Sequence, residues 1–181
     1  MNVVSETVVQ ALDADAARAE LSALCDVLLD SVDGGASVGF VLPMTMAKAR
    51  AFWEEVFDDL QAGGRMLFIA HNAEGAIDGT VQLVPAGKEN QPHRADISKL
   101  LVHRRARRRG VGALLMRAAE AAALQAGRTV LVLDTATPEA ERLYRREGWQ
   151  LCGVIPDYAL MPDGSLCATS YFYKRLTSRA A

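Results

Sequence analysis

Asp96-Ile97-Ser98-Lys99-Leu100-Leu101-Val102-His103-Arg104-Arg105-Ala106-Arg107-Arg108-Arg109-Gly110-Val111-Gly112-Ala113-Leu114-Leu115-Met116 reads as a strand in its first half and as the opening of a helix in its second. Between the halves lies a basic turn that carries Gly110 and Gly112. A strand feeding a helix through such a turn aims unpaired backbone N–H groups, and the positive end of the helix dipole, at one spot; that geometry binds phosphate. Glycine is needed there because a Cβ would block close approach of a ligand to the backbone.

The stretch fits neither common nucleotide loop. G-x-x-x-x-G-K-[ST] does not occur, and Leu115 stands where G-x-G-x-x-G needs its third glycine. What stands here is Arg107-x-x-Gly110-x-Gly112, directly after the apolar strand end Leu100-Leu101-Val102.

Working outward, 181 residues suit one domain, 1–181, with a substantial core, and are too few for two comfortable ones. An apolar share of 50% and a charged share of 23% belong to a soluble globular chain. The net charge of −2 sets up no global field for nucleic acid or anionic lipid. Cys25, Cys152 and Cys167 lack C-x-x-C spacing, which argues against a disulfide framework or a zinc site and suits a reducing cytosol. No apolar run approaches the ~20 residues of a membrane helix, and the N-terminal stretch lacks the basic and apolar regions of a signal peptide. A cytoplasmic location is expected, with no membrane or metal partner.

In chain order, 3–10 reads as a short strand. Asp13 can cap a helix to about Ser31, with Ala17, Leu21, Leu24, Leu28 and Val32 on one face. Asp33-Gly34-Gly35-Ala36-Ser37-Val38-Gly39-Phe40 is either a flexible connection or one wall of a cleft built around Phe40. Thr45 caps a helix to about Gln61, whose apolar face is Ala49, Phe52, Trp53, Val56, Phe57 and Leu60, and Gly63-Gly64 stops it. Strands at 65–71 and 76–84 form a hairpin, and a third strand spans about 94–102. A helix follows over about 111–125. The strand 129–134 is apolar enough to be covered on both faces. Thr137-Pro138 opens a helix to about Glu147. A strand then runs from Gly148-Trp149 to Ile155, and a loop with the turn Pro162-Asp163-Gly164-Ser165 leads to a last strand at 166–175. The pattern predicts an α/β fold with a mixed, mostly antiparallel sheet and helices on both faces.

This order, together with Arg107-x-x-Gly110-x-Gly112, resembles the GNAT superfamily of N-acetyltransferases, whose acetyl-CoA pyrophosphate loop reads Q/R-x-x-G-x-G/A. The likeness covers nearly the whole chain. Ala140-x-x-x-Tyr144-x-x-x-Gly148-Trp149 is similar to the superfamily's A-x-x-x-Y-x-x-x-G-F, with Trp149 in place of phenylalanine. The loop 34–40, Arg94-Ala95-Asp96 leading to Lys99-Leu100, Leu133-Asp134-Thr135 and Pro162-Asp163-Gly164 look closest to tabtoxin-resistance-type acetyltransferases. The resemblance implies an acetyl-CoA-dependent N-acetyltransferase acting on the primary amine of a small molecule, an amino-acid-like toxin or antibiotic among the options. It implies backbone contacts from Leu101 and Val102 to the pantetheine arm. It further implies a diphosphate held by Arg107, Arg108, Arg109, Gly110, Val111, Gly112 and Ala113.

Chemistry supplies the remaining roles. When an amine attacks a thioester a thiolate leaves, and the Tyr144 phenol, next to the cofactor by the resemblance, can protonate it. The attacking ammonium must first lose a proton to a carboxylate. Asp96, in the strand before the loop, where the resemblance implies that many family members keep an acidic base, and Asp134, at the carboxyl end of the buried strand, are both candidates. His71 and His103 are expected at the surface. Cys25 and Cys152 have no basic neighbour that would make a nucleophile, so direct transfer without an acyl-enzyme is expected. Phe40, Asp157 and Tyr158 are candidate acceptor contacts. A cofactor-binding sensor without turnover and a protein N-acetyltransferase are the alternatives, and a homodimer is one option for assembly. The arginine run alone could suggest nucleic acid, but it is short, lacks interleaved aromatics and sits in an acidic chain.

Overall fold

The computed structural model describes residues 7–177. Within them the chain forms β1 (Val8–Leu12), α1 (Ala14–Ala19), α2 (Leu21–Asp33), α3 (Met46–Gln61), β2 (Met66–His71), β3 (Ile77–Pro85) and β4 (Arg94–Val102). After a 3-10 turn at Arg104–Ala106 come α4 (Val111–Gln125), β5 (Val130–Thr135), α5 (Pro138–Arg146), β6 (Gln150–Leu160) and β7 (Leu166–Arg175). The strands make one 7-stranded sheet in the order β1-β2-β3-β4-β5-β7-β6. Only β4 and β5 run parallel; the other neighbours are antiparallel. This is the mixed, mostly antiparallel α/β sheet that the sequence predicts.

Alternation along the strands sorts side chains into two cores. Phe68 and Ala70 of β2 join Val111, Leu115 and Met116 of α4 on one face. Leu67 and Ile69 join Leu24, Leu28, Trp53 and Phe57 of α2 and α3 on the other. The period of two in the strand and of 3.6 in the helices therefore meet at the same surfaces. Trp53, Phe57 and Leu115 are wholly buried, each contributing about 1.5–3 kcal/mol of transfer free energy. Thr45 caps α3, its hydroxyl accepting from the Lys48 N–H, and Asp13 accepts from the Ala16 N–H at the start of α1; such caps contribute about 1 kcal/mol each.

Three elements differ from the sequence expectation. The first strand was expected over 3–10; residues 3–6 lie outside the described residues, and the strand continues past 10 to Leu12. The single helix from Asp13 is two helices, because the Glu20 N–H turns to the Ala17 and Arg18 carbonyls. The break lets α1 pack on α3, where Arg18 pairs with Asp58 and covers the Phe57 ring. The loop expected after Ile155 is strand. β6 stays paired with β7 to Leu160↔Leu166, taking up its extra residues in an irregularity between Ile155 and Ala159. Pro156, which has no N–H, is tolerated there because β6 is the sheet edge.

The feature that positions a site is a split. β4 and β5 pair only at Arg94↔Val130, Ala95↔Leu131 and Asp96↔Val132. Beyond Asp96, β4 stays with β3 as far as Gly79↔Val102, while β5 follows β7 as far as Thr135↔Ser170. The two strands part and leave a wedge between their carboxyl ends. No helix among the described residues is long and apolar enough to cross a membrane.

Candidate active site

A cavity of about 320 Å³ fills the wedge. Ile97, Ser98, Lys99 and Leu100 of β4 form one wall, and Leu133, Asp134 and Thr135 of β5 the other. Thr137, Ala140 and Tyr144 come from the cap and body of α5, and Tyr158, Ala159 and Thr169 from the β6–β7 hairpin. Ala36, Ser37, Val38 and Gly39 close it from the loop after α2. That loop is fastened to the hairpin: the Leu42 N–H donates to the Pro162 carbonyl at 2.8 Å, and the Ser37 hydroxyl donates to the Leu160 carbonyl at 3.3 Å. The loop walls the cavity through Ala36 to Gly39, but Phe40, around which the cleft wall was expected, is not among the lining residues.

Tyr144 is buried between Trp149 and Phe172, with ring centres 6.1 and 5.8 Å away. Burial pushes its phenol well above the ordinary value of 10.0, and the Asp134 charge adds to this. The phenol is thus held in its neutral, proton-bearing form. Asp134 faces the same cavity and accepts a hydrogen bond from the Thr169 hydroxyl at 2.7 Å. That bond fixes the carboxylate on the wall. Asp96 shares the strand face of Asp134 but sits at the last rung before the split, and it is not among the lining residues. Its carboxylate is paired with Arg94 at 2.7 Å. The two aspartates that sequence left unranked thus occupy different places: Asp134 in the cavity, Asp96 below it.

Of the acceptor candidates, Tyr158 lines the cavity and its hydroxyl lies 2.7 Å from that of Tyr171; burial and this bond help raise the Tyr171 phenol to about 12, the bond being the larger cause. Asp157 lies outside the lining, in the irregular stretch of β6 with φ 51. Phe40 is also outside it, packed edge-on against Phe52 at 5.5 Å. Neither candidate is brought to the cavity, because the strand extension carries Asp157 outward and the aromatic cluster of α3 claims Phe40. Sequence reasoning missed Lys99, Ser98 and Thr169; the charge of Lys99 between Ile97 and Leu101 was a visible signal.

The basic turn divides in two. Arg104 donates from both its backbone N–H and its Nε to Asp30, at 2.8 Å each. Arg105 donates to Asp78 at 2.9 Å and to the Ile77 carbonyl at 2.6 Å. Arg107 donates to the Val102 carbonyl at 3.2 Å, so that carbonyl, expected to face pantetheine, is already engaged. Leu101 is buried and pairs with Thr80. Past this point the backbone opens. Arg108 has φ 63, and Gly110, in the left-handed region at φ 84, forms the start of α4 without a side-chain cap. The first backbone bond of α4 is from the Leu114 N–H to the Gly110 carbonyl. Among the described residues, the N–H groups from Arg108 to Ala113 donate to no protein acceptor. Gly112 packs on α5, where a Cβ would come within 3.0 Å of Leu143. The residues present therefore fit a diphosphate: free donors, a helix N-terminus and open space beside Gly110.

His103 is not the surface residue expected. Its side chain is 15% exposed and its ring nitrogens lie 3.4 Å from Asp26 and 3.5 Å from Asp30. His71 is likewise half-buried. The three cysteines are unpaired, Cys25 in the core. No group of three or more metal-type ligands occurs among the described residues.

Residues 63–151, which hold the split, the glycine turn and Tyr144, match the family model described as acetyltransferase (GNAT) domain. Over residues 63–151 the chain carries a GNAT acetyltransferase domain. Solved structures extend the likeness of fold beyond the segment matched by the model. The acetyltransferase yncA of Salmonella typhimurium, determined with acetyl-CoA, is 17% identical with TM-score 0.77, over 98% of each chain. A phosphinothricin acetyltransferase of Sinorhizobium meliloti, in complex with acetyl-CoA, is 18% identical with TM-score 0.80, over 94% of this chain and 88% of that one. A ribosomal-protein-alanine N-acetyltransferase of Brucella melitensis is 20% identical with TM-score 0.75, over 93% of this chain and 99% of that one. The GNAT fold thus accounts for the chain from the first described strand to the last.

Proposed function

We propose that the protein transfers an acetyl group from acetyl-CoA to the primary amine of a small molecule, by direct attack within a ternary complex. The observation that carries this reading is one cavity faced by both a carboxylate, Asp134, and a proton-bearing phenol, Tyr144. It lies in the split between β4 and β5, and free N–H groups stand at the adjoining helix start. Acetyl-CoA, bound in two of the solved structures of like fold, would supply the activated acetyl group. The N–H groups of Arg108 to Ala113 would hold its diphosphate, and the side chains of Arg108 and Arg109 would add charge.

Asp134 takes the proton that the acceptor ammonium must lose, directly or through one water. Tyr144 donates its proton to the departing thiolate, and the second proton that the nitrogen sheds as the amide forms restores the phenol; of the two protons the ammonium loses, one passes to Asp134 and the other is balanced by the thiol. Asp134 supports the base role better than Asp96 does, because Arg94 already neutralises Asp96 outside the cavity. With both groups in place, turnover is better supported than a cofactor-sensing module. The narrow cavity, closed by loop 36–39 and the β6–β7 hairpin, supports a small acceptor over a protein chain, and the likeness of that loop to tabtoxin-resistance-type enzymes supports an amino-acid-like one.

The test is incubation with acetyl-CoA and a broad panel of amines while free thiol is followed. Thiol release that depends on an amine, and falls steeply in Tyr144→Phe and Asp134→Asn, is the expected result. Calorimetry showing no binding of CoA to the purified protein would overturn the reading.

A further inference from the structure

Lys99 is the charged cavity residue that acetyl transfer leaves unused. It sits where β4 slips register against β3, at φ 49, a left-handed conformation that a side-chain-bearing residue keeps only when its surroundings impose it. Its Nζ lies 5.6 Å above the centre of the Phe52 ring. On another side is the loop after α2, where a Cβ on Gly39 would stand 3.5 Å from the Nζ. Among the described residues the Nζ makes no ion pair and no hydrogen bond. Lys99 and Asp134 are, among the described residues, the only charged side chains lining the cavity, and they approach it from opposite walls.

A half-buried ammonium without an acceptor is costly. Burial draws this one below its ordinary value of 10.5; the Asp134 charge opposes that and the Arg65 charge reinforces it. The Phe52 face offsets only part of that cost. An anion delivered by the ligand would satisfy the group. The diphosphate is not that anion, since its donors lie beyond the end of β4, past Val102 and the basic turn.

We infer that Lys99 binds a carboxylate carried by the acceptor, which is therefore an amino-carboxylate lying with its amine toward Asp134 and its carboxylate toward Lys99. Only the chemistry at the amine rests on the transferase reading; the carboxylate contact stands on the cavity itself. The contact selects the substrate and takes no part in bond making, which makes Lys99 a specificity-determining residue.

The experiment uses the full chain loaded with CoA, with L-amino acids and their α-carboxamides as probes in calorimetry. A charge-assisted hydrogen bond of about 1.5–3 kcal/mol corresponds to roughly 10- to 100-fold weaker binding of the carboxamide. That ratio should collapse towards one in Lys99→Met, which keeps the length of the side chain and its contact with Phe52, and be partly kept in Lys99→Arg. Thermal melts of the variants verify folding. Equal binding of acid and carboxamide to the wild type, discrimination that survives in Lys99→Met, or no binding of any amino acid would overturn the inference. The same probes are then run with acetyl-CoA. Discriminating binding without thiol release would sink the transferase reading and leave the Lys99 subsite standing. Thiol release at equal rates from acid and carboxamide would do the reverse.

Discussion

Tyr144 and Asp134 are each defined by what burial and one neighbour do to them. Tyr144→Phe removes a proton donor while leaving the ring between Trp149 and Phe172. It is expected to lower kcat by about 10²-fold with a much smaller change in the KM for acetyl-CoA, measured by steady-state kinetics. A change mainly in KM would mean that the ring only packs. Because the phenol is raised above 10.0, the protonated form persists through the pH where a free tyrosine ionises. The rate should therefore show no alkaline loss from this group up to about pH 10. Asp134→Asn keeps an oxygen to accept from Thr169 but cannot take a proton, so the acid limb of the pH–rate profile should vanish. The same limb should survive in Asp96→Asn. Both aspartates were legible as acids near strand ends, yet sequence could not rank them. What separates them is the rung at which β4 and β5 part, and no residue in either strand announces that rung.

At the scale of elements, helix signals were read well because caps and stops are local. Thr45, Asp13 and Thr137 all cap where expected. The break at Glu20 and the extension of β6 were not legible, since both depend on partners distant in sequence: α3 for the first, β7 for the second. The start of α4 gives a contrast between two glycines. Gly110 has no atom near an added Cβ but holds φ 84, so Gly110→Ala should cost about 1–2 kcal/mol of stability, read as a lower thermal midpoint. Gly112 has ordinary helical backbone but faces Leu143 at 3.0 Å. Gly112→Val should push α5 away from α4 and disturb the free N–H row, weakening CoA binding by at least about tenfold in calorimetry. Equal affinity in that variant would show that the diphosphate does not lie on this turn.

Across the whole molecule, the basic turn joins the active face to the fold. Sequence read the run from Arg104 to Arg109 as one basic feature; the structure gives its first two arginines to acidic partners on α2 and β3. Those partners, Asp30 and Asp78, are too far off in the chain for spacing to reveal. Asp78 is 3% exposed and its partner Arg105 is 41% exposed by side chain. Arg105→Met would strand a buried carboxylate and should destabilise by about 2 kcal/mol, the low end for such pairs because water still reaches the guanidinium. Asp30 yields a prediction in pH. Burial alone would raise its carboxyl, but the backbone N–H and guanidinium of Arg104 outweigh that and hold it below the ordinary value of 3.8. A carboxylate depressed in the folded state stabilises above the unfolded value and stops doing so as pH falls through the folded one. Asp30→Asn should therefore lower the urea midpoint at pH 7. The gap from wild type should shrink as pH falls below 3.8, where the wild-type carboxylate also becomes neutral. A gap that stayed constant from pH 7 to pH 3 would show that Asp30 acts through its hydrogen bonds alone, and that the charge of Arg104 does not anchor the turn.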